Sequence, residues 1–215
     1  MDGKNDSMNG MVQKLKTGTT TVGIVAKDAV VIAADKRATM GNFIMSKDVV
    51  KIMPFAPHMA MTLSGAVGDN QVLARWMALE ARKYRVEHEK PMHPHAAVIL
   101  LSNILSSSRY YPYWVMNLLA GFYEGKGYLY SVDLIGGVSE EKVASTGSGS
   151  VVAYGILDSG YKEEMSVKEA VSLAIKAVNA AMNRDSASGE GVDVYVIDKN
   201  GGNFLDKKAL AKLLK

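Results

Sequence analysis

The alternation of apolar and polar positions divides the chain into short, distinct segments. TTVGIVA (20–26) and AVVIAAD (29–35) are rich in β-branched residues and nearly all apolar, and Lys27-Asp28 separates them. That pattern predicts two strands joined by a tight turn. HMAMTLSG (58–65) predicts a further strand closing on a Ser-Gly turn. Over 69–89 the period becomes helical, with Val72, Trp76, Leu79 and Lys83 on one face and Arg75, Glu80 and Arg82 off it. A second helix is expected over 96–107, entered past Pro91 and Pro94, which restrict the approach. WVMNLLAGFYE (114–124) and KGYLYSVDLIG (126–136) predict a long hairpin turning near Gly125-Lys126. The turn TGSGS (146–150) precedes a short helix over 152–157. Ser166 and Glu169 form a capping box, each able to satisfy an orphan amide of the other. The helix it opens carries Val167, Val171, Ala174, Val178 and Ala181 as one apolar stripe. VDVYVID (192–198) predicts a strand, NGG (200–202) a turn, and 206–214 a terminal helix.

Strands therefore alternate with pairs of helices, which argues antiparallel α+β layers and not a repeating βαβ sheet. Two sheets packed face to face with helix pairs outside would bury every stripe. The chain has 215 residues, 48% of them hydrophobic, enough for one domain with a substantial core, and no linker divides it. A net charge of +3 leaves no electrostatic footprint for nucleic acid or an acidic membrane. The longest apolar runs, AVVIAA (29–34) and AAVILL (96–101), fall far short of the ~20 residues of a membrane span. The polar opening MDGKNDSMNGMVQKLKTG has no apolar stretch like the ~7–15 residues of a signal peptide. Cysteine is absent, which excludes a thiol nucleophile, a disulfide framework and a thiolate zinc site, and suits a reducing cytoplasm.

Familiar catalytic motifs are missing. The chain has no GxSxG, Walker loop or HExxH, and GSGS is followed by no Lys-Ser/Thr. The histidines are His58, His88, His93 and His95; His93 and His95 flank a proline without a third ligand nearby, so no metal site is expected. What remains is the Gly18-Thr19 junction. A threonine hydroxyl needs a base, and an N-terminal threonine carries its own, an α-amine of pKa about 7.7–8.0. Such a base works near neutral pH. Cleavage must first uncover it, and a polar leader ending in glycine, whose backbone tolerates a strained turn, meets that need. On the tripeptide alone, Thr19-Thr20-Thr21 reads more readily as the start of a β-strand.

The combination is more specific. TGTTTVGIVAKDAVVIAADKRAT (17–39), VVKI (49–52), LSGAVGD (63–69), TGSGS (146–150) and NRDSASGEGVDV (183–194) stand in this order. Together they resemble the β-subunit of the archaeal-type proteasome, an N-terminal-nucleophile hydrolase, over essentially the whole chain from Thr19. The resemblance implies a four-layer αββα sandwich. It also implies a propeptide, 1–18, removed autocatalytically between Gly18 and Thr19 from a zymogen, leaving a catalytic domain, 19–215. Thr19 would be the nucleophile and its amine the base. Asp35 and Lys51 match the family's essential acid and lysine: a lysine beside the hydroxyl lowers that hydroxyl's pKa, while the carboxylate holds the lysine charged. Taken singly, either reads as half of a salt bridge at a sheet edge. Ser148, Asp185 and Ser188 match the polar residues around the threonine amine. The Gly65 amide matches the oxyanion hole, and Thr39 with Gly65 would hold substrate as an added strand. The specificity-pocket positions fall on Ala38, Val49, Met53 and Val67, with Leu63 beneath; all are apolar, which implies cleavage after large hydrophobic residues.

The implied protein is a cytoplasmic threonine endopeptidase working through an acyl-enzyme at Thr19, with no cofactor or metal. Its implied partners are other β-subunits in a homo-heptameric ring, a second β-ring stacked on it, flanking rings of α-subunits, ATPase regulators beyond them, and unfolded polypeptide as substrate; neither nucleic acid nor membrane is implied. Two other readings stand beside it. A non-catalytic ring subunit of the same fold would generally lack the full set of Thr19, Asp35 and Lys51. An amidase of the same nucleophile class acting on a small molecule would not require this order of motifs.

Overall fold

The computed structural model describes residues 18–206 and 208–210. Strands β1 (Thr21–Val25) and β2 (Ala29–Asp35) form the hairpin expected from their apolar runs. Their lack of polar alternation has a simple cause: β2 is buried along its whole length, one face against helices and the other against a second sheet. The hairpin β3 (Ala38–Met40) and β4 (Phe43–Ser46) stands apart as a small sheet. Strands β5 (Ile52–Ala56) and β6 (Met59–Thr62) lead into helices α1 (Val67–His88) and α2 (Pro94–Ser107). Next come β7 (Asn117–Tyr123), β8 (Lys126–Val132), β9 (Val138–Glu140) and β10 (Val143–Thr146). Helices α3 (Ser150–Gly160) and α4 (Val167–Met182) follow, then β11 (Val192–Asp198) and β12 (Gly201–Phe204).

One five-stranded sheet has the order β10-β1-β2-β11-β12 and the other β5-β6-β7-β8-β9, with every pairing antiparallel. Between them lie Val30, Ile32, Ala60, Leu118, Leu129 and Ile197. The outer face of the first sheet, including Val22, Ile24 and Val31, packs on Leu157 of α3 and Val171, Ala174 and Val178 of α4. Met59, Met61 and Leu119 of the second sheet pack on Leu73 and Met77 of α1 and on Val98 and Leu101 of α2. This is the expected αββα sandwich.

Several details differ from the sequence reading. In α1 the buried residues are Asn70, Leu73, Ala74, Met77 and Ala81, whereas Trp76 and Leu79 are 46% and 62% exposed. The inward stripe begins on an amide and interleaves Leu73 and Met77 with two alanines, while the bulky Trp76 and Leu79 lie outward, so apolar size alone points to the wrong face. The β7–β8 turn falls at Glu124-Gly125, one residue early, because both adopt left-handed backbone, at φ 50° and 79°. Helix α2 begins at Pro94, at its first turn, with the His93 ring accepting the His95 N–H as its cap. The His93 ring also packs edge-on to Tyr123 and Tyr128, so its neighbours are aromatic. The capping box at Ser166 and Glu169 is present in both directions, and the stripe from Val171 to Ala181 is buried. The terminal helix appears over 208–210; the rest of its expected span after 210, and residues 1–17 of the leader, lie outside the described residues. Among the described residues no helix is long and apolar enough to cross a membrane.

Candidate active site

The two sheets present the same ends at one edge of the sandwich. There the start of β1, the end of β2, the start of β5 and the end of β6 converge. Asp35, the last residue of β2, donates its backbone N–H to the Thr20 carbonyl at 3.1 Å. Its side chain is wholly buried and accepts four hydrogen bonds. Oδ1 takes the Thr20 N–H at 2.9 Å and Lys51 Nζ at 2.7 Å; Oδ2 takes the Arg37 and Gly189 N–H groups at 3.1 and 2.9 Å. Lys51, just before β5, is 4% exposed. Besides Asp35, its ammonium reaches the Gly18 carbonyl oxygen at 3.5 Å. Burial pushes the Lys51 pKa below its usual 10.5, against the opposing pull of the Asp35 charge.

The Gly18-Thr19 bond therefore lies under a desolvated cation. The Gly18 N–H donates to the Thr39 hydroxyl at 3.0 Å, so the last leader residue lies against one of the two residues expected to hold substrate. A side chain at position 18 would collide with Ala187, so this glycine is required for room, a reason distinct from the turn flexibility inferred from sequence. Thr19 itself is 5% exposed, and its N–H donates to Ser148 Oγ at 3.2 Å. Asp185 gathers both serines: its Oδ2 accepts from Ser148 Oγ at 2.6 Å and from Ser188 Oγ at 2.7 Å. Ser188, fully buried, is also 2.7 Å from the Thr20 hydroxyl. The Thr19 nitrogen thus meets one hydroxyl, Ser148, behind which Asp185 and Ser188 are linked in turn.

Gly65 follows β6 with φ +103°, and a Cβ there would strike the Trp114 carbonyl, so only glycine fits. The apolar pocket set is more dispersed. Ala38 lies on β3, paired with Ser46; Val49 donates its N–H to the Lys36 carbonyl; Met53 lies on β5; and Leu63 bonds the Lys51 carbonyl through its own N–H. Ala38, Val49, Met53 and Leu63 are half-buried, Met53 and Leu63 against the α1–α2 core, and Val67 opens α1 at 49% exposure. No hydrogen bond joins this set; its members share only apolar, partly open surface.

Several participants escaped sequence reasoning. Arg37 donates from its guanidinium to the Ser186 carbonyl at 2.8 Å and to Glu190 at 3.0 Å, pinning the loop that carries Asp185 and Ser188. Asn70 and Asn117 form a buried amide pair behind Gly65. The available signal was an amide inside an otherwise apolar stretch, NLLAGFY, and another on the inward face of α1. A cavity of about 830 Å³ lies at the opposite end of the strands, lined in part by Phe55, Arg82, Arg85, Tyr123 and Lys199, and contains none of the expected site residues.

The arrangement suits hydroxyl activation: a buried lysine beside the Gly18-Thr19 junction would lower the pKa of a hydroxyl brought next to it, and a polar relay through Ser148 leads to the nitrogen that would become an amine. Comparison with known proteins points the same way. The family profile described as "Proteasome subunit" matches residues 15–197. Proteasome subunit beta of Archaeoglobus profundus is 48% identical over 209 residues, covering 96% of this chain and 97% of that protein. Proteasome subunit beta 2 of Ignicoccus hospitalis is 49% identical over 195 residues, covering 91% and 92%. Proteasome subunit beta of Archaeoglobus fulgidus is 50% identical over 195 residues, covering 90% and 91%. With the profile spanning most of the chain and relatives near half identical along nearly their full lengths, the chain belongs to the proteasome subunit family, among the β-type threonine endopeptidases.

Proposed function

We propose that Thr19 is the nucleophile of this endopeptidase, exposed by self-cleavage of the Gly18-Thr19 bond. The observation that carries this reading is Lys51, buried, paired to Asp35 and directed at the Gly18 carbonyl. In the precursor the Thr19 oxygen attacks the Gly18 carbonyl carbon. The acyl group shifts from nitrogen to oxygen, the nitrogen takes the hydroxyl proton, and water hydrolyses the resulting ester. Residues 1–18 leave as a propeptide, and the α-amine is free.

Peptide hydrolysis then reuses the site. The amine takes the Thr19 proton, the oxygen bonds to the scissile carbonyl carbon, and the Gly65 N–H donates to the developing oxyanion. A well-placed donor of this kind is worth roughly 10²–10³ in rate. The proton passes to the leaving amine, and water releases the acyl product from Thr19. Lys51 keeps the Thr19 oxygen acidic, Asp35 holds Lys51, and Ser148, Asp185 and Ser188 orient the amine. Thr39 and the Gly65 backbone hold substrate extended. Ala38, Val49, Met53 and Val67, over Leu63, favour a large hydrophobic residue before the cut. The working particle is a pair of stacked heptameric β-rings between α-rings, fed with unfolded polypeptide by an ATPase regulator.

The test is the intact mass and first residue of the chain after co-assembly with its α-subunit. The wild type is expected to begin at Thr19, and Thr19→Ala to retain residues 1–18 and lose peptidase activity. A Thr19→Ala chain that still sheds its leader overturns the mechanism. Peptide series varying the residue before the cut test the pocket, and a preference for an acidic or basic residue there refutes that assignment.

A further inference from the structure

Gly65 lies in an isolated antiparallel bridge with Val115. The bonds on either side of that bridge run from the Met116 N–H to the Ser64 carbonyl at 3.1 Å and from the Ala66 N–H to the Trp114 carbonyl at 2.7 Å. Gly65 is thus the member of a non-hydrogen-bonded pair, and its own N–H points away from the Trp114–Met116 segment that precedes β7. Among the described residues that N–H has no acceptor. Its direction is set by the peptide plane it shares with the Ser64 carbonyl, whose oxygen points the opposite way.

That oxygen is held twice. Besides Met116, the Asn70 side-chain amide donates to it at 3.1 Å, and the same Nδ2 donates to the Ala66 carbonyl at 2.9 Å. Asn70 therefore grips the carbonyls on both sides of Gly65. Asn70 is in turn fixed by Asn117, whose Nδ2 donates to Asn70 Oδ1 at 2.6 Å and to the Thr62 carbonyl at 2.5 Å. This pairing sets which end of the Asn70 amide faces the 64–66 segment. Both asparagines are buried, at 1% and 0% exposure, and Asn117 Oδ1 has no hydrogen-bond partner. An orphaned buried acceptor costs stability, so packing alone does not account for the pair.

We infer that Asn70, oriented by Asn117, is a positioning residue that aims the Gly65 N–H at the oxyanion. The inference rests on the proposed roles of Thr19 and Gly65. Asn70 touches no substrate; it acts through the Ser64–Gly65 peptide. Replacing its donor by an acceptor of the same shape turns a grip on two carbonyls into a repulsion, and the plane rotates.

The test uses the assembled particle carrying Asn70→Asp or Asn70→Ala, with two inhibitors sharing one hydrophobic peptide sequence. One ends in an aldehyde, which adds the Thr19 hydroxyl to give a hemiacetal whose oxygen occupies the oxyanion position; the other ends in the corresponding alcohol, which cannot. The variants are expected to lose roughly tenfold to hundredfold in kcat and in aldehyde affinity, somewhat less than outright removal of a donor. Alcohol affinity should stay within about twofold of wild type, since it reports ground-state binding. Unchanged aldehyde affinity, or equal losses for aldehyde and alcohol, overturns the inference. If the wild type itself does not prefer the aldehyde, the Thr19–Gly65 reading fails instead. Should the Asn70 variants not assemble, Asn117→Leu, which removes the amide that orients Asn70, is read with the same two inhibitors and the same criteria.

Discussion

The Asp35–Lys51 pair makes an asymmetric prediction about stability. Both members are buried, but their other partners differ in number and quality. Remove Lys51 as Lys51→Met, and the Asp35 carboxylate keeps three backbone donors, from Thr20, Arg37 and Gly189. The loss is then one charge-assisted hydrogen bond, about 1.5–3 kcal/mol. Neutralise Asp35 as Asp35→Asn, and Lys51 keeps only the long 3.5 Å contact to the Gly18 carbonyl. In addition, the new NH2 group faces one or more backbone donors that the carboxylate had satisfied. Leaving a buried charge unpaired costs about 3–5 kcal/mol. The expected gap is roughly 2 kcal/mol, or about 4–8 °C in melting temperature for a chain of this size. Thermal unfolding of the full-length chain in a Thr19→Ala background, where the leader is expected to stay attached in every variant, measures it directly. If Lys51→Met melts at or below Asp35→Asn, then Asp35 is not held mainly by the backbone and the argument fails.

Other expectations are simpler. Gly65→Ala forces a Cβ into the Trp114 carbonyl, and peptide hydrolysis should fall by about 10²–10³-fold as the N–H is displaced; near-normal kcat would contradict the oxyanion role. Ser166→Ala removes the cap of α4, far from Thr19, and should lower stability by about 0.5–2 kcal/mol in a urea melt while leaving kcat unchanged. Burial holds Lys51 below 10.5, so in the window between its folded pKa and 10.5 the unfolded chain binds more protons than the folded one. Stability from this group therefore rises with pH through that window, and Lys51→Met should flatten that part of the wild-type pH–stability curve. An unchanged slope would place the titration elsewhere.

The central layers were legible because their sequence had little freedom. β2 is covered on both faces and its apolar run marks its limits, β11 is a β-branched, aromatic stretch bounded by a turn, and α4 announces itself by its box and stripe. Short strands such as β3, β9 and β12 were not legible, since three or four partly exposed residues become a strand only through a neighbour supplied by the tertiary fold. In α1 the faces differ from the sequence pattern, because the inward face mixes Asn70, Ala74 and Ala81 with Leu73 and Met77 while the bulky Trp76, Leu79 and Val86 face out. Asp35 and Lys51 carry no local mark of partnership; the sheet ends bring them within 2.7 Å. Only the ordered motifs, read as a resemblance, singled them out. Asn70 and Asn117 belong to no motif, and their meaning depends on which carbonyl the first one faces.

The place of β1 has a consequence for timing. A chain end is ordinarily the loosest part of a domain. The end that the proposed scission would create here is clamped, because the strand that starts two residues later is paired on one edge with β10 and on the other with β2. Cutting before Thr19 forfeits none of those ladders, only the two described contacts of Gly18 with Thr39 and Lys51. The sheet can thus close first and the cut can follow at no cost to the architecture. If the cut needs the lysine beside the junction, as proposed, a chain that has not folded cannot make it. On the proposed reading, latency is then a property of the unfolded chain, and no active nucleophile precedes the fold that makes it.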